Sequence, residues 1–215
     1  MPESLKINEI FFSIQGESTF AGLPCIFIRM AHCNLRCNYC DTEYAFYQGT
    51  EMTFAEILDQ INQYSCNLVE ITGGEPLLQK NVLPFIRLLL DKGRRVLVET
   101  GGHMDISGID ERTVIIMDIK CPGSGEANKN LWDNIGFLKK SDQVKFVISH
   151  RQDYLWTKDI INKYQLTDNH EVLLSPVFGR IENQELVEWI IKDQLPVRLQ
   201  LQIHKYIWAP DRRGV

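Results

Sequence analysis

The sequence predicts an α/β protein in which about six parallel strands form part of a barrel, an incomplete, TIM-like arrangement. Three observations lead there. Apolar runs of strand length alternate with segments of helical period, the pattern of parallel strands joined by crossover helices. The 215 residues fall short of the roughly 250 that a closed eight-stranded barrel typically takes. The residues able to do chemistry fall just past the predicted strands, where folds of this kind build their sites.

In chain order, a strand over 5–14 precedes the first core strand, 25–30. Thr53 and Glu56 form a capping-box pattern that opens a helix over 53–63. The second core strand, 68–72, runs into Gly73-Gly74, and a helix over 82–92 ends where Gly93 offers a left-handed cap. The third strand, 95–99, stops at Glu99-Thr100. The stretch 106–112 is too short and polar for a regular helix and predicts an abbreviated crossover. There follow a strand over 114–118, a helix over 131–139, a strand over 143–148, a helix over 154–164 and a strand over 171–174. A helix over 184–193 and a strand over 197–203 complete the series. With no internal repeat, linker or low-complexity segment, residues 1–215 are expected to form a single domain.

Composition narrows the class. Hydrophobic residues at 44% and charged residues at 24% are ordinary for a globular protein. No apolar run reaches the eighteen or so residues of a membrane helix, so a protein without membrane association is expected. A net charge of -5 argues against broad nucleic-acid binding, which needs clustered Lys and Arg. Six cysteines without a recognisable signal peptide point to a reducing cytoplasm.

Three of those cysteines form the most specific motif, Cys33-Asn34-Leu35-Arg36-Cys37-Asn38-Tyr39-Cys40, followed by Asp41-Thr42. Iron-sulfur clusters are normally closed by four thiolates, so three leave one iron open to a small molecule. A structural zinc site is the competing reading and would draw a fourth ligand from Cys25, Cys66, Cys121 or His32. Cys25, Cys66 and Cys121 lie in or beside apolar segments and otherwise read as buried thiols. Gly73-Gly74 allows close approach of backbone to a ligand, and equally suits a plain turn. Glu99, Asp118 and Lys120 are charges at the ends of apolar strands, either paired with one another or facing a polar ligand.

The C-x3-C-x2-C spacing, with Tyr39 before the last cysteine and Gly-Gly-Glu-Pro at 73–76, resembles the radical S-adenosylmethionine (SAM) superfamily. The resemblance implies a radical SAM core in which Cys33, Cys37 and Cys40 hold a 4Fe-4S cluster whose open iron binds SAM. It further implies that Gly74 receives the methionyl amine and Glu99 the ribose hydroxyls. Tyr39, Asp118, Lys120 and Ser175 would complete the cofactor pocket.

Within that superfamily, Ser13-Ile14-Gln15-Gly16-Glu17-Ser18, Arg29 and Gln202-Ile203-His204-Lys205 resemble the 7-carboxy-7-deazaguanine synthase family, over about residues 7–205. The chain departs from the family pattern at Ser18, where glycine is common. The resemblance implies a carbon-nitrogen lyase of deazapurine (queuosine) biosynthesis that contracts 6-carboxy-5,6,7,8-tetrahydropterin to 7-carboxy-7-deazaguanine with loss of ammonia. Ile14 and Gly16 would meet the pterin through backbone, Gln15 and Glu17 through side chains, and Thr72 from its strand end. Arg29 and His204 would grip the carboxylate, and Arg29 would thereby help hold the reacting carbon in place. Thr42 would coordinate Mg2+. A flavodoxin-like or ferredoxin-like electron donor and a homodimer are also implied. The alternative is an activating enzyme of the same superfamily that makes a glycyl radical on a protein partner. It shares the cysteine run but leaves residues 13–17 and His204-Lys205 without a purpose.

Overall fold

The computed structural model describes residues 3–215. β1 (Ser4–Ile14) pairs antiparallel with β2 (Pro24–Met30) and with β3 (Thr50–Thr53). From β2 onward the pairing is parallel, through β4 (Leu68–Gly73), β5 (Arg95–Thr100), β6 (Val114–Ile119), β7 (Gln143–Ile148), β8 (Glu171–Pro176) and β9 (Arg198–Leu199). The resulting nine-stranded sheet has the order β3-β1-β2-β4-β5-β6-β7-β8-β9, with β3 and β9 left as open edges. This is the expected partial barrel, with β9 as a short addition to six longer parallel strands.

Because side chains alternate along a strand, each strand serves two environments. On the outer face Ile26, Ile28, Val69, Ile71, Val96 and Val98 pack against α1 (Phe54–Ile61) and α2 (Val82–Asp91). Met117, Val144, Phe146 and Leu174 do the same against α3 (Arg151–Tyr164) and α5 (Asn183–Asp193), with the short α4 (Leu166–Asn169) closing the layer. On the inner face Phe27, Leu68, Leu97 and Ile116 form an apolar floor with Phe11 of β1. Two residues further along the same strands stand Arg29, Glu70, Glu99 and Asp118, and Lys145 joins them from β7. A floor of hydrocarbon thus carries a ring of charge.

The local signals produce the expected elements where they are strong. Thr53 and Glu56 form the full capping box at the start of α1, and Gly93 adopts φ +79° after α2. The crossover between β5 and β6 contains neither helix nor strand, as its polarity predicted.

Three expectations change. The helix expected over 131–139 is a 3-10 segment, Trp132–Phe137. Asn134 ties it to the preceding crossover, donating to the carbonyls of Gly102 (3.2 Å) and Met104 (2.8 Å) while accepting from Ile106 N–H. These tertiary bonds override the local period. The strand expected over 197–203 pairs only at Arg198–Leu199, after which the chain turns into the single-turn α6 (His204–Ile207). The helix expected to begin at 154 starts at Arg151, since the His150 side chain accepts from Asp153 N–H.

Candidate active site

Every residue that the family resemblance assigns to cluster, cofactor, substrate or Mg2+ lines one cavity of about 660 Å3 at the C-terminal ends of the parallel strands. They arrive from separate stretches of the chain.

The cysteine loop leaves β2 and forms one wall, its three thiols partly exposed to the cavity. The loop is braced from outside itself. Asn38 N–H donates to Ser124 O (2.9 Å), Arg36 N–H donates to Glu126 Oε1 (2.5 Å), and the Arg36 guanidinium lies 4.3 Å from the Phe46 ring centroid. Burial raises all three thiol pKa values, that of Cys37 to about 11 against the opposing pull of Lys120. Metal binding at neutral pH therefore releases protons here.

The residues considered as a fourth ligand are occupied elsewhere. Cys25 lies at the N-terminal end of β2 and Cys66 just before β4, Cys121 bonds to Thr157 Oγ1 (3.4 Å), and His32 Nδ1 meets Phe46 O (3.2 Å). Among the described residues no three His, Cys, Asp or Glu side chains converge as they would on a single ion. Three thiols with no fourth protein donor fit a cluster in which each cysteine serves its own iron.

Gly73 and Gly74 are required by close packing as well as by any ligand. A Cβ on Gly74 would lie 2.0 Å from His32 O, and Gly73 has φ +119° with Met30 backbone 2.5 Å from a Cβ position. Gly74 N–H donates to Met30 O (3.1 Å), so what Gly74 offers a ligand is its carbonyl, an acceptor suited to an amine. Glu75 is fully buried and braces the β5 loop, accepting from Thr100 Oγ1 (2.8 Å) and Gly101 N–H (2.8 Å).

Across the floor runs a string of polar contacts. Lys145 Nζ reaches Glu17 Oε2 (2.7 Å) and Glu99 Oε1 (2.5 Å). Thr72 Oγ1 donates to Glu99 Oε2 (3.0 Å), and Gln202 Nε2 donates to Glu17 Oε1 (2.9 Å). Burial works against the charge on Lys145, yet the Glu17 and Glu99 carboxylates hold its pKa well above the usual value. Burial likewise opposes ionisation of Glu99, and Lys145 overcomes it, leaving Glu99 below the ordinary range. Glu70 moves the other way: burial, then the nearby Glu99 and Glu17 charges, raise it well above a free carboxylate. Asp118 pairs with Lys120 (2.9 Å) through one oxygen, while the other is buried without a partner. That open acceptor fits a hydroxyl- or amine-bearing ligand. Tyr39 OH donates to Val147 O (3.4 Å), and Ser175, only 2% exposed, completes this side.

The far wall holds Arg29. Its Nε pairs with Glu9 Oε1 (2.7 Å), which also accepts from Tyr44 OH (2.9 Å). Arg29 is thus part of an ion pair, but among the described residues that pair engages only Nε and leaves the terminal nitrogens for a ligand. Thr42 Oγ1 donates to Asp41 Oδ1 (2.9 Å), whose other oxygen meets Lys205 Nζ (2.6 Å).

Gln15 differs from expectation. Its Nε2 donates to Glu70, its Oε1 accepts from Glu17 N–H (2.8 Å), and both its backbone groups bond within the loop. It is a brace under residues 16–23 rather than a free donor-acceptor pair. Gly16 matters for its missing side chain, since a Cβ would sit 2.1 Å from His204 Nδ1, and Ile203 N–H donates to Gly16 O (3.0 Å). Burial lowers the His204 pKa, which keeps its ring neutral at pH 7. Ser18 adopts φ +60°, which is why glycine is at home there; its Oγ accepts from Phe20 N–H (3.2 Å) and steadies the turn.

Sequence reasoning missed Glu70, Lys145, Glu9 and Tyr44, all close to the predicted groups. The signal for the first two was present: each is a lone charge in an apolar strand, as Glu99 is. The tail residues 210–215 also line the cavity, with the Arg213 guanidinium 3.9 Å from the Tyr44 ring centroid, and no local pattern marks them.

Comparison with known proteins agrees with this geometry. The radical SAM superfamily profile matches residues 27–117. A curated 7-carboxy-7-deazaguanine synthase of Chlorobaculum tepidum is 45% identical, covering 98% of this chain and 97% of the relative. A second, from Koribacter versatilis, is 41% identical over 98% of this chain and 100% of the relative. Among solved structures, QueE from Escherichia coli shares the fold with a TM-score of 0.77 at 22% identity, covering 92% of this chain and 93% of that one.

Proposed function

The chain belongs to the 7-carboxy-7-deazaguanine synthase family of radical SAM enzymes, and from that premise we propose that its cavity contracts 6-carboxy-5,6,7,8-tetrahydropterin to 7-carboxy-7-deazaguanine with release of ammonia. The observation that carries this reading is the convergence of residues 14–17, Arg29, Thr72, His204 and the cysteine loop on one cavity.

When bound, the reduced 4Fe-4S cluster and SAM supply a 5'-deoxyadenosyl radical able to take a hydrogen atom from the substrate. Cys33, Cys37 and Cys40 would hold three irons. Tyr39, the Gly74 carbonyl, Glu99, the Asp118-Lys120 pair and Ser175 would hold SAM, with the unpartnered Asp118 oxygen as an acceptor in support. Glu17, Thr72 and the backbone of Ile14 and Gly16 would take the pterin edge over the brace made by Gln15. Arg29, through its terminal nitrogens, and neutral His204 would take the carboxylate. Mg2+ on Thr42 would meet the same carboxylate, since this ion often takes one or two protein oxygens and completes its shell with water and substrate. The apolar floor would shield the reacting carbon from water on one side.

A flavodoxin-like or ferredoxin-like protein would supply electrons. A homodimer is the expected assembly, and the exposed Tyr206 and Ile207 (56% and 55%) offer apolar surface for it. The cytoplasm is the expected compartment; among the described residues no helix is long and apolar enough to cross a membrane.

The test is direct. Protein reconstituted anaerobically with iron and sulfide, then given SAM, Mg2+, reductant and 6-carboxytetrahydropterin, should release the deazapurine and one ammonia per product. SAM cleavage without either product would overturn the assignment.

A further inference from the structure

Lys145 is 5% exposed and lies on the inner face of β7, beside Asp118 in the sheet register. A buried lysine is costly unless paired, and a single carboxylate would pair it. Here two do, from positions 128 residues before it and 46 residues before it in the chain. Each carboxylate divides its oxygens: Glu17 between Lys145 and Gln202, Glu99 between Lys145 and Thr72. The contacts Gln202-Glu17-Lys145-Glu99-Thr72 cross the cavity floor without a break. Every carboxylate oxygen keeps lone-pair capacity for a further donor, which a ligand can supply.

We propose that Lys145 is a positioning residue that couples the two ligand sites: by holding Glu17 and Glu99 together, it makes carboxypterin binding and SAM binding mutually dependent. This rests on the assignment of Glu17 to the pterin and Glu99 to the SAM ribose. A donor arriving at either carboxylate shifts the shared ammonium, and the ammonium carries that shift to the other. Asp118, whose own partner is Lys120, and Glu70 also lie close enough for their charges to act on Lys145. Among the described residues neither bonds to its ammonium, so the hydrogen-bonded path runs through Glu17 and Glu99. By linkage, whatever SAM does for pterin affinity the pterin does equally for SAM.

The experiment uses reconstituted holoprotein without reductant, so that nothing turns over. The Kd of 6-carboxytetrahydropterin is measured calorimetrically with and without saturating SAM, and the reverse titration checks reciprocity. Wild-type protein should show about a tenfold ratio, within the usual span of coupled sites. Lys145→Met should reduce the ratio to within about twofold while each ligand still binds. Lys145→Arg, which can still span two carboxylates, should restore most of it. Should Lys145→Met fail to fold, Glu17→Gln cuts one arm while keeping the Glu99 pair, and the ratio should collapse there too. A folded Lys145→Met protein with the full wild-type ratio, or a wild-type ratio of one, overturns the inference alone. Wild-type protein that binds SAM but no pterin removes the functional reading, and the inference with it.

Discussion

The outer and inner faces of the sheet are made by the same strands and obey opposite rules. Val98 and Glu99 are adjacent on β5. One packs among helices in the apolar layer; the other turns toward the cavity and meets a lysine. The outer face is uniform, so any residue there is replaceable by another of similar size and polarity. The inner face changes character within two residues, from the hydrocarbon floor to the charged ring, and each charge there has a named partner or an open lone pair. Stability is concentrated on one side and chemistry on the other.

Placing a charge on the outer face should have the largest effect. Val98→Asp places an unpaired charge at a position with 0% exposure, a cost of several kcal/mol against a typical total stability of about 5–15 kcal/mol. No folded protein should be recovered, as judged by circular dichroism of the soluble fraction. One residue along, Glu99→Gln should leave the fold intact and weaken SAM binding by about tenfold or more, consistent with about 1.4 kcal/mol or more of lost interaction.

At the rim, Cys37→Ala should abolish cluster absorbance and turnover while thermal unfolding of the iron-free protein stays near that of wild type. A coloured, active variant would remove the cluster assignment. Arg29→Ala should raise the carboxypterin Kd by roughly ten- to a hundredfold, the loss of a charge-assisted contact, with SAM affinity little changed. Equal losses of both would mark a fold defect through the broken Glu9 pair. Thr42→Ala should raise the Mg2+ concentration needed for half-maximal activity, and an unchanged requirement would leave Thr42 as a structural residue beside Asp41.

The smallest effect concerns Glu70. Its folded pKa is raised by burial and by the Glu99 and Glu17 charges, so folding costs nothing extra below the unfolded carboxylate value and grows more costly as pH rises toward the folded one. Glu70→Gln removes that dependence and can still accept from Gln15. The Tm of the variant should therefore gain on wild type between pH 5 and pH 8, by about 2–4 °C per kcal/mol relieved. A difference that shrinks with rising pH would contradict the assigned direction.

Much of this arrangement was legible in the residues themselves. The outer face is written as alternation within each strand, and the cysteine loop is contiguous, so both can be read locally. Glu99 stood out as a charge in an apolar run, and Lys145 in Gln-Val-Lys-Phe-Val-Ile carried the same mark. What the sequence withholds is the partner: Glu17 and Lys145 are joined by the sheet, across most of its width. The segment 132–137 misleads for a related reason, because Asn134 bonds to a distant loop. Gln15 likewise has an amide suited to a pterin, and only the packed structure reveals that Glu70 and the Glu17 amide already engage it.

His32, the last residue before the cysteine loop, has φ +74°, and its backbone is gripped from both sides by Ala45 O and Glu75 N–H. The direction in which the loop departs is thus fixed by protein-to-protein bonds that owe nothing to iron. Loss of the metal would then dismantle the centre and spare its scaffold, so that iron and sulfide supplied afresh would meet a loop already aimed.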